Sequence, residues 1–167
     1  MLNFLILVIF PAAMIYAAVS DITTMTISNW ISIVLIASFP VLAFAAGMAW
    51  SDIGWHFVAG GVMLVAGFAL FAFNVIGGGD AKLLAAAGLW FGWSDLSVLL
   101  VYTALCGAPI CLGLLAYRNW PLPERFSKVK WLARLHDARE GAPYGLAICA
   151  AGLLFYADTP MMELAGA

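Results

Sequence analysis

The stretch Asn74-Val75-Ile76-Gly77-Gly78-Gly79-Asp80-Ala81-Lys82-Leu83-Leu84 interrupts a strongly apolar chain. Three glycines, a carboxylate and a lysine stand between two long hydrophobic segments. Glycines let a backbone turn where a side chain would clash, and they let another chain approach closely. A carboxylate at the mouth of a membrane segment is costly unless it is solvated, paired or protonated, so Asp80 is a functional candidate by default. Whether the segment after Asp80 crosses the membrane or turns back decides the topology.

The surroundings are those of a membrane protein. Of 167 residues, 65% are hydrophobic and 10% charged, and the mean hydropathy is +1.04. A soluble domain is nearer half apolar and a quarter charged. The expectation is an all-α polytopic protein, a single membrane-embedded domain over residues 1–167. A net charge of −2 leaves no basic face for nucleic acid. Cys106, Cys111 and Cys149 form no C-x-x-C pair and lie in apolar segments, so they read as small buried residues. His56 and His136 lack partners at ligand spacing and read as interfacial side chains; no metal and no cofactor is expected. The first apolar run has no preceding Lys or Arg and is long for a signal peptide, so it reads as a retained span.

Six apolar segments are expected, at about residues 2–20, 29–47, 55–76, 81–93, 96–117 and 143–158. About 20 helical residues cross the hydrocarbon core, so the fourth is short. Charge parity places it. Six of the seven Lys and Arg lie between Arg118 and Arg139, which makes the loop at about 118–142 cytoplasmic. If the fourth segment crosses, Lys82 and Asp80 share that face, together with Asp21. The other face then holds Asp52, Asp95, Asp158 and Glu163 with no Lys or Arg. A re-entrant fourth segment would split the basic residues between faces. Trp50, Trp55, Trp90 and Trp93 read as the outer aromatic belt, and Trp30 and Trp120 as the inner one. In the basic loop, Phe126, Val129, Leu132 and Leu135 recur at near-helical spacing, which suits a short helix on the anionic leaflet; a solvated connection is the alternative.

Asp21 ends the first segment on the face where Asp80 begins the fourth. Two carboxylates on different helices at one depth can meet. A close pair shares one proton and titrates as a unit, which supplies a base for water and an acid for a leaving amine. Other readings stay open. Asp80 is also a natural helix cap and Asp21 a natural interfacial carboxylate. Lys82 is a partner for a carboxylate or for lipid phosphate. Ser28 is a natural N-cap for the segment opening at Asn29. Pro143, Tyr144 and Gly145 suit a helix start at an interface.

These residues resemble the prepilin peptidases, membrane aspartic proteases of the GxGD class. Gly77-Gly78-Gly79-Asp80 matches the GxGD box. Asp21 followed by Ile27-Ser28-Asn29 is similar to the family's first motif, with Ser28 where proline is usual. Pro143-Tyr144-Gly145-Leu146 is similar to the opening of the last span. The resemblance implies that Asp21 and Asp80 are the catalytic pair at the cytoplasmic face of a bacterial inner membrane, supported by Gly77, Gly78, Gly79, Lys82, Asn29, Pro143, Tyr144 and Gly145. It implies cleavage of the short basic leader of a prepilin, and as partners prepilin substrates, the bilayer and the pilus secretion machinery. The chain lacks the cysteine-paired cytoplasmic insert of the longer members and resembles the short Tad/Flp type, for which no methyltransferase activity is expected. A small proton- or cation-coupled transporter is the alternative, because buried acids and glycine breaks also mark ion pathways. A structural subunit of a secretion complex is a third.

Overall fold

The computed structural model describes residues 1–166. Among them the regular structure is helical. In chain order the helices are α1 (Leu2–Thr24), α2 (Asn29–Ala45), α3 (Trp50–Ala72), α4 (Gly78–Asn119), α5 (Glu124–Ser127), α6 (Lys130–His136), α7 (Tyr144–Phe155) and α8 (Pro160–Gly166). A 3₁₀ turn, Tyr156–Asp158, joins α7 to α8. By length and hydropathy α1, α3 and α4 are each able to cross a membrane; the α7–α8 pair, bent by 43°, makes a fourth if counted as one span. The protein is an all-α polytopic membrane protein. Helices are the form that satisfies every backbone N–H and C=O where water is absent.

The long helix α4 is two antiparallel arms. Gly92 stands inside it with φ 77° and ψ −179°, a region open essentially to glycine alone. A Cβ on Gly88 would lie 3.4 Å from Leu96 Cδ1, whereas eight residues of straight helix span about 12 Å. The chain therefore doubles back at Gly92. The first arm, residues 78–91, is the short fourth segment, and the second arm is the fifth.

Side-chain contacts order the six segments. The first arm of α4 is the central helix, and every residue from Leu83 to Gly92 is buried. Phe10 of α1 packs on Trp90 and stacks on Tyr156. Trp90 is fully buried and donates its indole N–H to Leu35 O of α2 at 2.9 Å. On α3, Gly67 and Gly60 carry the closest approach to the central arm; a Cβ there would stand 3.0 Å from Ala81 Cα and 3.2 Å from Ala85 O. Gly107 of the second arm faces the Tyr144 ring, and Tyr102 lies against Phe155 with ring centroids 3.7 Å apart. These pairs make α1, α3 and the second arm run against the central arm, and α2 and α7 run with it. Direction alternates through all six segments. Thr24, Asn29, Gly78, Asn119 and Tyr144 consequently share one end of the bundle.

Two sequence expectations change here. Trp90 is a core residue rather than a belt anchor, because its indole N–H finds a carbonyl inside the bundle. Trp30, Trp50, Trp55, Trp93 and Trp120 are at least half exposed, as anchors are. His56 is buried rather than interfacial: it stacks on Phe39 at 4.9 Å, its Nδ1 lies 2.8 Å from Leu89 O, and its ring covers Gly92. The basic loop forms two short helices, α5 and α6, and is tied to the bundle. Arg134 donates to Thr24 O at 2.7 Å, and Leu132 and Leu135 turn toward Ile22, Ile110 and Leu146.

A candidate two-carboxylate site

Asp21 lies one turn before the end of α1, and Asp80 lies in the first turn of α4. Both are buried, with 4% and 7% of their surface exposed. Burying a carboxylate is costly unless its oxygens are hydrogen-bonded, and each accepts from a backbone N–H. Gly77 N donates to Asp80 Oδ2 at 3.0 Å, so one oxygen caps its own helix. Leu146 N donates to Asp21 Oδ2 at 3.1 Å. That donor belongs to the first turn of α7, whose free N–H groups and dipole favour negative charge.

The two carboxylates meet over Gly145. A Cβ added there would stand 2.8 Å from Asp21 Oδ2 and 3.0 Å from Asp80 Oδ1. The two oxygens are thus no farther apart than the sum of those distances. An atom in the gap reaches both. Any side chain at position 145 would occupy it and would also strike Ile27.

Around the pair is a cleft of about 400 Å³. Gly77, Gly78 and Gly79 line one wall, and Glu140, Gly141 and Ala142 the other. The glycines act by their size rather than by turning the chain. Gly77 has φ −72° and ψ 154°, open to any residue, and the positive φ before the cleft falls on Asn74 at 57°. What Gly79 supplies is room: a Cβ on it would press Ile27 Cβ at 3.1 Å.

The remaining candidates divide. Lys82 Nζ donates to Asn29 Oδ1 at 2.8 Å, so its protein partner is a side-chain amide. Ser28 occupies the N-cap of α2 but makes no capping bond. Pro143 is the N-cap residue of α7 and faces an apolar recess beside Ile22 and Ile110. The Tyr144 ring rests on Gly107. Among the described residues no three His, Cys, Asp or Glu side chains gather where an ion could be held.

Two parts of the site were given no role from the sequence. Ile27 wedges between Gly79 and Gly145 beside the pair. Arg118 holds the far wall, donating from Nη2 to Glu140 O and Gly141 O, each at 2.9 Å, and from Nε to Leu135 O. In the sequence Arg118 is one cation of a basic loop, and nothing in its spacing marks three carbonyls as partners.

The type IV leader peptidase family matches residues 8–112, a span that contains both aspartates. A 44-residue stretch is 48% identical to prepilin leader peptidase/N-methyltransferases of Aeromonas hydrophila and Aeromonas salmonicida. That stretch is 26% of this chain and 15% of each relative's length. No solved structure matches the chain.

Proposed function

The chain belongs to the type IV leader peptidase family, and from that premise we propose that it is a prepilin leader peptidase of the aspartic type, with Asp21 and Asp80 as the catalytic pair. The observation that carries the reading is the meeting of the two buried carboxylates over Gly145. One aspartate, ionised, takes a proton from water as the water oxygen attacks the scissile carbonyl. The other, protonated, gives its proton to the leaving amine. The products are a free carboxylate on the leader and a free amine on the mature chain, and the dyad ends with one proton as it began. The α7 N-terminus favours the single negative charge the pair must hold.

The surroundings support a prepilin as the substrate. The cleft opens at the end of the bundle where the basic loop lies, the cytoplasmic face by charge asymmetry. A substrate whose short basic leader stays on that face and whose apolar helix enters the bilayer places the bond between them at the depth of the dyad. The pairing of both acids at one end of the bundle, rather than midway along it, favours a peptidase over an ion pathway.

The test is cleavage, in membranes, of a prepilin whose leader ends in glycine before an apolar helix. Asp21→Asn and Asp80→Asn each abolish processing. Asp52→Asn and Asp95→Asn, at the opposite end, leave it unchanged. Normal processing by both dyad variants overturns the reading.

A further inference from the structure

Beside the cleft, on the flank of the bundle, α2 and α3 splay apart. They leave a groove of about 510 Å³ floored by the central arm of α4. α2 lines it with Asn29, Ser32, Ile33 and Ile36. α3 lines it with Phe57, Gly60, Gly61 and Leu64. Each set has the spacing i, i+3, i+4, i+7, the stripe one helix offers to another. The central arm adds Lys82, Ala85 and Leu89, at i, i+3 and i+7. Three walls with helical periodicity describe the seat of a further helix.

Two details separate a helical occupant from a lipid chain. Gly61 has nothing within 4 Å of where its Cβ would be, so a partner backbone can come close, as at small-residue contacts between membrane helices. Ser32 is 4% exposed, and its Oγ has no hydrogen-bond partner. The usual escape for a helical serine is its own i−4 carbonyl; Ser38 takes it, bonding Val34 O at 2.6 Å, and Ser32 does not. An unspent hydroxyl inside an apolar groove has a use for a peptide or side-chain group and none for an acyl chain.

The groove runs to the end of the bundle that carries the dyad. Its end is formed by the Lys82–Asn29 pair. Lys82 follows Asp80 by two residues, and Asn29 follows by two residues the Ile27 that packs beside the carboxylates. We infer that the α2–α3 groove is the docking site for the substrate's apolar helix, held so that the chain leaving the groove at Lys82 and Asn29 enters the cleft. The inference rests on the peptidase reading.

Cleavage and docking are tested separately on one prepilin. Cleavage by the unaltered chain comes first; its absence defeats the peptidase reading and this inference with it. With cleavage present, a photo-crosslinking amino acid is placed at Ile36, at Gly61, or at Gly113. Gly113 is equally open but faces the recess between the second α4 arm and Pro143. Adducts with the apolar segment of the prepilin at 36 and 61 and not at 113 are expected. Adducts at 113 alone, or only to lipid or to a second copy of the chain at 36 and 61, overturn the inference. Gly61→Phe supplies a kinetic arm. It slows cleavage of the full prepilin about tenfold through KM, the factor of a lost docking contact. It leaves unchanged the cleavage of a soluble peptide that spans the bond but lacks the helix. Equal loss on both substrates overturns the inference.

Discussion

A single methyl group on Gly145 would lie against both carboxylates and Ile27 at once. Neither carboxylate can retreat far, because Asp80 is held by Gly77 N and Asp21 by Leu146 N. Gly145→Ala is therefore expected to push the pair apart while leaving the bundle folded. Displacement of a catalytic group by about 1 Å can cost on the order of 10²-fold in rate, and a loss of that size in the prepilin assay, with an unchanged helical circular dichroism spectrum, is the expected outcome. Processing at the normal rate would show that the gap is not where the bond is cut. Ser28 makes the opposite prediction. It stands where the family has proline, its φ is −66° and ψ 135°, and it forms no cap. That φ is the one proline imposes. Ser28→Pro is expected to keep full activity and to raise stability by roughly 0.4–1 kcal/mol through the unfolded chain, read as a small rise in Tm in detergent.

Helix α4 depends on one residue for its shape. Hydropathy gives two apolar runs with Gly92-Trp93-Ser94-Asp95 between them, and that is enough to expect two segments. The reversal itself needs Gly92 at φ 77°, with the His56 ring as close as 2.6 Å to where a Cβ would stand. Gly92→Ala meets both obstacles. Backbone strain of this kind costs about 1–3 kcal/mol, and the displaced histidine would lose its carbonyl partner at Leu89. A clear fall in Tm is expected, with the dyad face affected less than the turn. An unchanged Tm would mean that the reversal does not depend on glycine. The same contact explains why His56 was misread: its partners come from α2 and α4, and neither is near it in sequence.

At the scale of the whole molecule, six alternating segments bring the ends of α1, α4 and α7 to one face with the basic loop. Single cysteines report on this, in a chain whose Cys106, Cys111 and Cys149 are replaced by alanine. Ser127→Cys in α5 is expected to react with an impermeant maleimide only from the cytoplasmic side. Ser94→Cys, beside the Gly92 reversal, is expected to react only from outside. Both residues are exposed. Labelling of the two from one side would undo the alternation, and with it the placement of the cleft opposite Asp52 and Asp95.

The membrane class, the approximate limits of the segments and the common end of Asp21 and Asp80 were all legible in the sequence. Hydropathy and charge act along the chain and across the bilayer, and both can be read residue by residue. What lies in the plane of the membrane could not be read that way. A helix with lipid around it is apolar on every side, so its composition does not say which neighbour it takes. That choice is made by contacts between distant residues: Gly60 and Gly67 drawing α3 onto the central arm, Trp90 bonding Leu35, and Gly145 leaving room for two carboxylates. The tertiary structure alone therefore decided that the aspartates meet, that Trp90 and His56 are core, and that α2 and α3 part to leave a groove. The sequence put the two acids at one depth; packing put them at one point.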